Sequence, residues 1–129
     1  MSYGHILVAV DLSEDSMQLI NKAIAQATPD LSKLSIVYVD KDHVLETAAE
    51  TQSIKDRLQT LADDSGYPIT DITARIGDLH IQVANIVAEE DVDLVVCGHH
   101  HDFLSRITSS VASLVNSVKT DLLVVYLDD

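Results

Sequence analysis

The sequence has no tryptophan, one phenylalanine, two prolines, four glycines and a single cysteine. Each scarcity excludes something. One thiol, Cys97, rules out an intrachain disulfide, which fits a reducing compartment. With aromatics at 4%, the core has to be built from Val, Ile, Leu and Ala. Four glycines are too few for a glycine-rich phosphate loop. Neither GxGxxG nor GxxxxGK[ST] occurs, and the stretch "AVDLSEDS" contains no glycine at all. Only 8 Lys and Arg stand against 21 Asp and Glu, for a net charge of -13. Nucleic acids and anionic membranes are bound by clustered cations that release counterions, so neither is expected as a partner. The longest apolar run, Leu122–Leu127, is far too short to span a bilayer. The opening "MSYGHILVAV" lacks the basic segment of a secretion signal. These features predict a soluble, cytoplasmic protein with one domain over residues 1–129.

What is present alternates. "HILVAV" (His5–Val10), "LSIVYV" (Leu34–Val39), "DLVVCG" (Asp93–Gly98) and "DLLVVYL" (Asp121–Leu127) are near-continuous apolar runs, the mark of strands buried on both faces. "DITARI" (Asp71–Ile76) alternates apolar and polar, as a half-exposed strand does. Between them lie helical stripes. Ile20, Ala23, Ile24 and Ala27 precede a stop at Pro29. Ile54, Leu58, Leu61 and Ala62 precede Gly66, in a stretch from about Val44 to Ser65. Leu79, Val83, Ile86 and Val87 follow Asp78 as N-cap. Leu104, Ile107, Val111, Leu114, Val115 and Val118 form a fourth stripe. Five strands alternating with four helices predict an open α/β domain with a parallel sheet, right-handed crossovers and helices on both faces, a Rossmann-like arrangement.

Ligands of open α/β sheets bind beyond the carboxyl ends of the strands, where strand order reverses. The lips there are Asp11-Leu12-Ser13, Asp40-Lys41-Asp42, Gly77-Asp78 and Gly98-His99-His100-His101. A phosphoacceptor receiver domain would need an acidic pair after the first strand, an aspartate ending the third and a lysine after the fifth. All three are missing. His99, His100 and His101 invite a metal or pH-sensing reading, with His43 or His80 completing a set. Three adjacent loop side chains diverge, however, and zinc sites draw ligands from separated elements, so no metal site is expected. Cys97, inside an apolar strand, reads as an inert core residue. Ser105, Thr108, Ser109, Ser110 and Ser113 read as helix-capping hydroxyls, and no nucleophile arrangement is spelled by their spacing.

Four stretches, "HILVAVDLSEDS", "GYPITD", "DLVVCGHHHDFLS" and "TDLLVVYL", resemble the universal stress protein A family over nearly the full length. The resemblance implies an adenine nucleotide alpha hydrolase-like fold with strand order 3-2-1-4-5, in a cytoplasmic homodimer. One branch of that family binds ATP through G-x2-G-x9-G-[ST]. Laid on this chain, the glycines fall on Gly98, His101 and Val111, and Ala112 follows; a two-residue gap puts Ser109-Ser110 at the glycine-serine position instead. Glu14 and Asp15 at the start of the first helix would repel a triphosphate. The chain therefore looks like the branch without the ATP site, with no cofactor, no catalysis and a vestigial cleft at Asp11, Gly98, His101, Ser109 and Ser110. The resemblance leaves Ser or Thr phosphorylation open as well. The last strand is apolar and lacks the Lys or Pro that usually blunts a sheet edge. The family's dimer pairs this strand with its twofold mate, which implies an interface of Leu123, Val124, Val125, Tyr126 and Leu127. The implied role is a dimeric stress-response factor acting through contacts with an unidentified protein. The alternatives are an ATP-binding regulator or slow phosphohydrolase of the same fold, and a metal- or pH-responsive binder.

Overall fold

A computed structural model describes residues 3–12, 14–40, 47–100 and 118–127, the side chains of His99, His100 and Leu127 excepted. The elements run β1 (His5–Val10), α1 (Ser16–Ala27), a 3-10 turn (Thr28–Asp30), β2 (Lys33–Asp40), α2 (Ala48–Asp64), β3 (Asp71–Ile76), α3 (Leu79–Glu90), β4 (Leu94–His100) and β5 (Asp121–Leu127). The sheet is parallel throughout, in the order β3-β2-β1-β4-β5. Both the parallel sheet and this order agree with the sequence reading.

β1 sits in the middle and is buried along its whole length. Its side chains alternate between two cores, as strand geometry requires. Ile6, Val8 and Val10 point to one side, where Leu19, Ile20 and Ala23 of α1 and Leu58 and Ala62 of α2 cover them. Leu7 and Ala9 point to the other, against Val83 and Ile86 of α3. Helices therefore lie on both faces. The fourth predicted helix falls within residues 101–117, outside the described residues. Its last predicted member, Val118, is not helical; it lies in the connection to β5, buried in the second core.

Local chemistry sets the boundaries. Pro29 enters a 3-10 turn and ends α1. The Thr47 side chain accepts the Glu50 N–H at 3.1 Å, an N-cap that starts α2 at Ala48, four residues later than the sequence pattern suggests. Gly66 then leaves α2 with φ of 74°, a left-handed value that suits glycine. Asp78 does stand at the N-cap of α3, but its side chain makes no capping bond.

The amino-terminal rim of the sheet is tied by polar contacts. The Asp93 carboxylate accepts the N–H groups of Gly4 (2.7 Å) and His5 (3.2 Å). Buried His5 faces the Glu90 carbonyl through Nδ1 (3.2 Å) and the Ser35 hydroxyl through Nε2 (2.7 Å). A carbonyl only accepts, so Nδ1 carries the proton. Tyr67 donates to the Ser32 carbonyl at 2.6 Å, and the Ser32 hydroxyl donates to the Tyr3 carbonyl.

Leu58 and Ala62 are the buried residues of α2. Leu58→Ala should therefore lower the unfolding free energy by about 3 kcal/mol, because the cavity opens under the whole helix. Urea denaturation followed by circular dichroism checks this.

Candidate functional site

Strand order reverses between β1 and β4. β1 is followed in sequence by its neighbour β2 on one side, while β4 pairs it on the other. The β1–β4 ladder ends at Val8↔Val96, although β1 runs on to Val10 and β4 to His100. Beyond that last pair the two strands no longer share bonds, and a crevice is available at the switch point. Asp11 and Leu12 form its β1 lip. Gly98, His99 and His100 rise on the β4 side.

The β1 lip is held in place. Leu12 has φ of 61°, in the left-handed region. Arg57, reaching from α2, donates from Nη2 to the Leu12 carbonyl at 2.9 Å. Sequence reasoning missed Arg57; its only signal was being a cation in a chain with 8 Lys and Arg. Asp15 occupies the N-cap of α1 without its side chain bonding the helix amides, and Glu14 beside it is exposed. Two carboxylates thus stand where the partial positive charge of the helix would otherwise attract an anion. The next residue, Ser16, is buried, and its hydroxyl has no hydrogen-bond partner among the described residues. On the far side of β1, Asp40 ends β2 with its side chain buried, and its carbonyl accepts the Gly77 N–H at 3.0 Å. Gly77 has φ of 137°, a backbone conformation that residues with a Cβ rarely adopt, so this turn favours glycine.

Asp11 follows β1 and Gly98 lies within β4, the two strands whose ladder ends at Val8↔Val96. Two details differ from the sequence reading. Gly98 is not at the mouth of a loop: β4 continues through it, with Gly98↔Val125, His99↔Tyr126 and His100↔Leu127 in register with β5. Hence two of the three histidines are strand residues, because the ladder to β5 extends two residues past the apolar run. Ser13, Lys41, Asp42, His43, His101, Ser105, Thr108, Ser109, Ser110, Val111 and Ser113 lie outside the described residues. Among the described residues no group of three His, Cys, Asp or Glu side chains converges on a metal position.

On β5 the five residues singled out are not equivalent. Val125 is buried in its own subunit, and Leu123 packs against the same core. Val124 (40% exposed) and Tyr126 (57%) present the accessible surface.

The parallel sheet, its order and the helices on both faces define an open, Rossmann-like α/β protein. The chain belongs to the universal stress protein family, whose model matches residues 2–126. It is 39% identical to universal stress protein A of Salmonella typhi over 141 aligned residues, covering 100% of this chain and 98% of that one. Among solved structures, a hypothetical protein whose biochemical function was assigned from its structure superposes with a TM-score of 0.77 at 20% identity, covering 100% and 99% of the two chains. A universal stress protein in complex with cAMP superposes with a TM-score of 0.73 at 22% identity, covering 99% and 100%. Among the described residues no helix is long and apolar enough to cross a membrane.

Cys97 lies in β4 below the crevice, and burial pushes its thiol up to about 11. The neutral thiol is thus the form the fold favours. Its contribution to stability is complete below the unfolded thiol value and is lost as pH rises toward 11. Iodoacetamide at pH 8.5 should label native Cys97 at least about a hundredfold more slowly than a free thiol, and at the ordinary rate in guanidinium. Mass spectrometry of the alkylated protein reads both rates.

Proposed function

We propose that this chain is a universal stress protein of the branch that does not bind ATP, a cytoplasmic dimer that acts in the stress response through protein contacts and not through catalysis. The observation that carries this reading is the make-up of the crevice. Of the three glycine positions in the family's ATP motif, Gly98 is kept, while His101 and Val111 replace the others. Glycine at such positions is what lets backbone approach phosphate oxygens closely, and the sequence has it at one of the three. Glu14 and Asp15 at the start of α1 add like-charge repulsion.

A second reading, an ATP-binding regulator or slow phosphohydrolase, draws support from one feature. The Ser16 hydroxyl is buried and unpartnered at the start of α1, and such a group often marks an unfilled polar position. The neighbour solved with cAMP shows that a protein of this fold accepts an adenine nucleotide. Calorimetry separates the readings. Mg-ATP titrated into nucleotide-free protein should release no binding heat, and acid extraction of fresh protein should yield no nucleotide. Saturable binding would establish the second reading.

Dimerisation through β5 is supported by the edge itself. β5 is the last strand of the sheet on its side, it is apolar from Leu122 to Leu127, and it carries neither Lys nor Pro. Antiparallel pairing with a second copy would continue the ladder and cover Val124 and Tyr126. Because Val125 is committed to its own core, the informative change is Val124→Lys with Tyr126→Lys. Sedimentation equilibrium should fall from twice the chain mass to the chain mass, with an unchanged far-ultraviolet spectrum. A double variant that keeps the dimer mass would exclude β5 as the seam.

A further inference from the structure

The sheet has a second edge, β3, and it differs from β5 in what lies beside it. Among the described residues no strand pairs its outer side. It contains neither proline nor lysine, and its one cation, Arg75, is engaged with Glu89 at 3.3 Å. Among the described residues no proline, lysine, strand or helix covers this edge, and its charges are Asp71 and the paired Arg75. Along its amino-terminal half runs an open groove of about 540 Å³, between the end of α2, the turn that follows it and the start of β3. That volume lies within the range of ligand-binding clefts.

The groove has an apolar floor and an acidic rim. Ala62, Ile69 and Ile72 belong to or pack against the main core, and Tyr67 lies beside them. The Tyr67 hydroxyl is anchored on the Ser32 carbonyl, so the ring is held in position before anything binds. Asp63 and Asp71 are both exposed on the rim, with Asp63 accepting the Gln59 side-chain amide at 2.8 Å. Among the described residues no Lys, Arg or His lines the groove. The net charge of -13 reinforces this local sign.

We propose that the β3 edge and this groove bind an extended basic peptide, which adds to the sheet as a sixth strand. The open ladder supplies main-chain hydrogen bonds. The period of two puts every second side chain of the peptide over the α2 face. Lys or Arg at those positions fits the groove: the aliphatic stem lies on Ile69, Ile72 and Tyr67, and the charged head reaches Asp63, while Asp71, on the opposite face with Thr73, adds to the local negative charge. A purely apolar peptide would leave the carboxylates unmatched, and an acidic one would be repelled. The inference rests on the reading that the chain works through protein contacts and gives that contact a place and a chemistry.

The probe is an acetylated, fluorescein-labelled hexapeptide alternating Lys and Val, followed by anisotropy with the full chain. Three comparisons decide. The same peptide N-methylated at every residue keeps its charges and loses its N–H donors; it should bind about tenfold more weakly or worse. Asp63→Asn, at an exposed position that leaves the core intact, should weaken the unmodified peptide about threefold. Hydrogen exchange should show new protection in Asp71–Ile76. Equal binding of the N-methylated peptide would reduce the effect to general attraction toward an acidic protein and overturn the proposal. So would protection at Asp121–Leu127 in place of β3. Protection of β3 that rises with protein concentration alone would give the edge to a second copy of this chain. None of these failures touches the nucleotide and sedimentation results, so the broader reading stands or falls separately.

Discussion

Everything in this molecule depends on a central strand that is dry on both sides. β1 has no water-facing residue over His5–Val10, so each of its side chains has to be covered. Alternation sends three apolar residues to one side and two to the other. One layer of helices cannot satisfy both sets. The positions of α1 and α2 on one side and α3 on the other follow from that single demand, as does the parallel direction of the strands that helical crossovers connect. The absence of tryptophan sharpens the constraint. A core of Val, Ile, Leu and Ala fills space only by close interdigitation, with no large ring to bridge a gap.

The two rims of the sheet divide the remaining work. At the amino-terminal rim Asp93, Ser32, Ser35 and His5 satisfy the chain where β1 enters. At the carboxyl rim the ladder between β1 and β4 ends early, and the backbone opens into a crevice. Arg57 is the described residue that ties one lip of it to a distant helix. The crevice is thus a product of topology, present whatever residues line it, and its acidity is a product of sequence. Fold alone supplies the place for a ligand; the side chains decide whether one is accepted.

The strands and the three described helices were legible because their signals are long and periodic. Continuous apolar runs marked β1, β2, β4 and β5, and the alternation of Asp71–Ile76 marked a half-exposed strand, which the structure shows as intermediate in burial from Ile72 to Arg75. The start of α2 was not legible. Its polar first turn is set by a single hydroxyl, Thr47, in a stretch with little apolar rhythm. The end of β4 was misplaced because glycine and histidine do not look like strand, yet a neighbouring ladder carried them along. In the crevice Asp11 and Gly98 could be named from their place after apolar runs. Arg57 could not, since its contact spans 45 positions and local pattern does not register such a distance. Burial of Val125 against exposure of Val124 was equally hidden, because an unbroken apolar strand does not say which face its own helices cover.

The separation of the rims bears on how such a protein can change over time. The polar ties of Asp93, His5 and Ser32 position β1 at one end of the sheet; at the other, where a ligand would be accepted, Arg57 holds the Leu12 carbonyl. An exposed carboxyl-rim residue such as Asp11 contributes little to either core, and a glycine traded for a histidine at that rim leaves the entry ties of β1 untouched. Capacity for a ligand can drift away, or return, while the same core persists. A scaffold arranged in this way is mutationally permissive at one pole and conservative at the other, which is the physical condition for one architecture to diversify without being rebuilt.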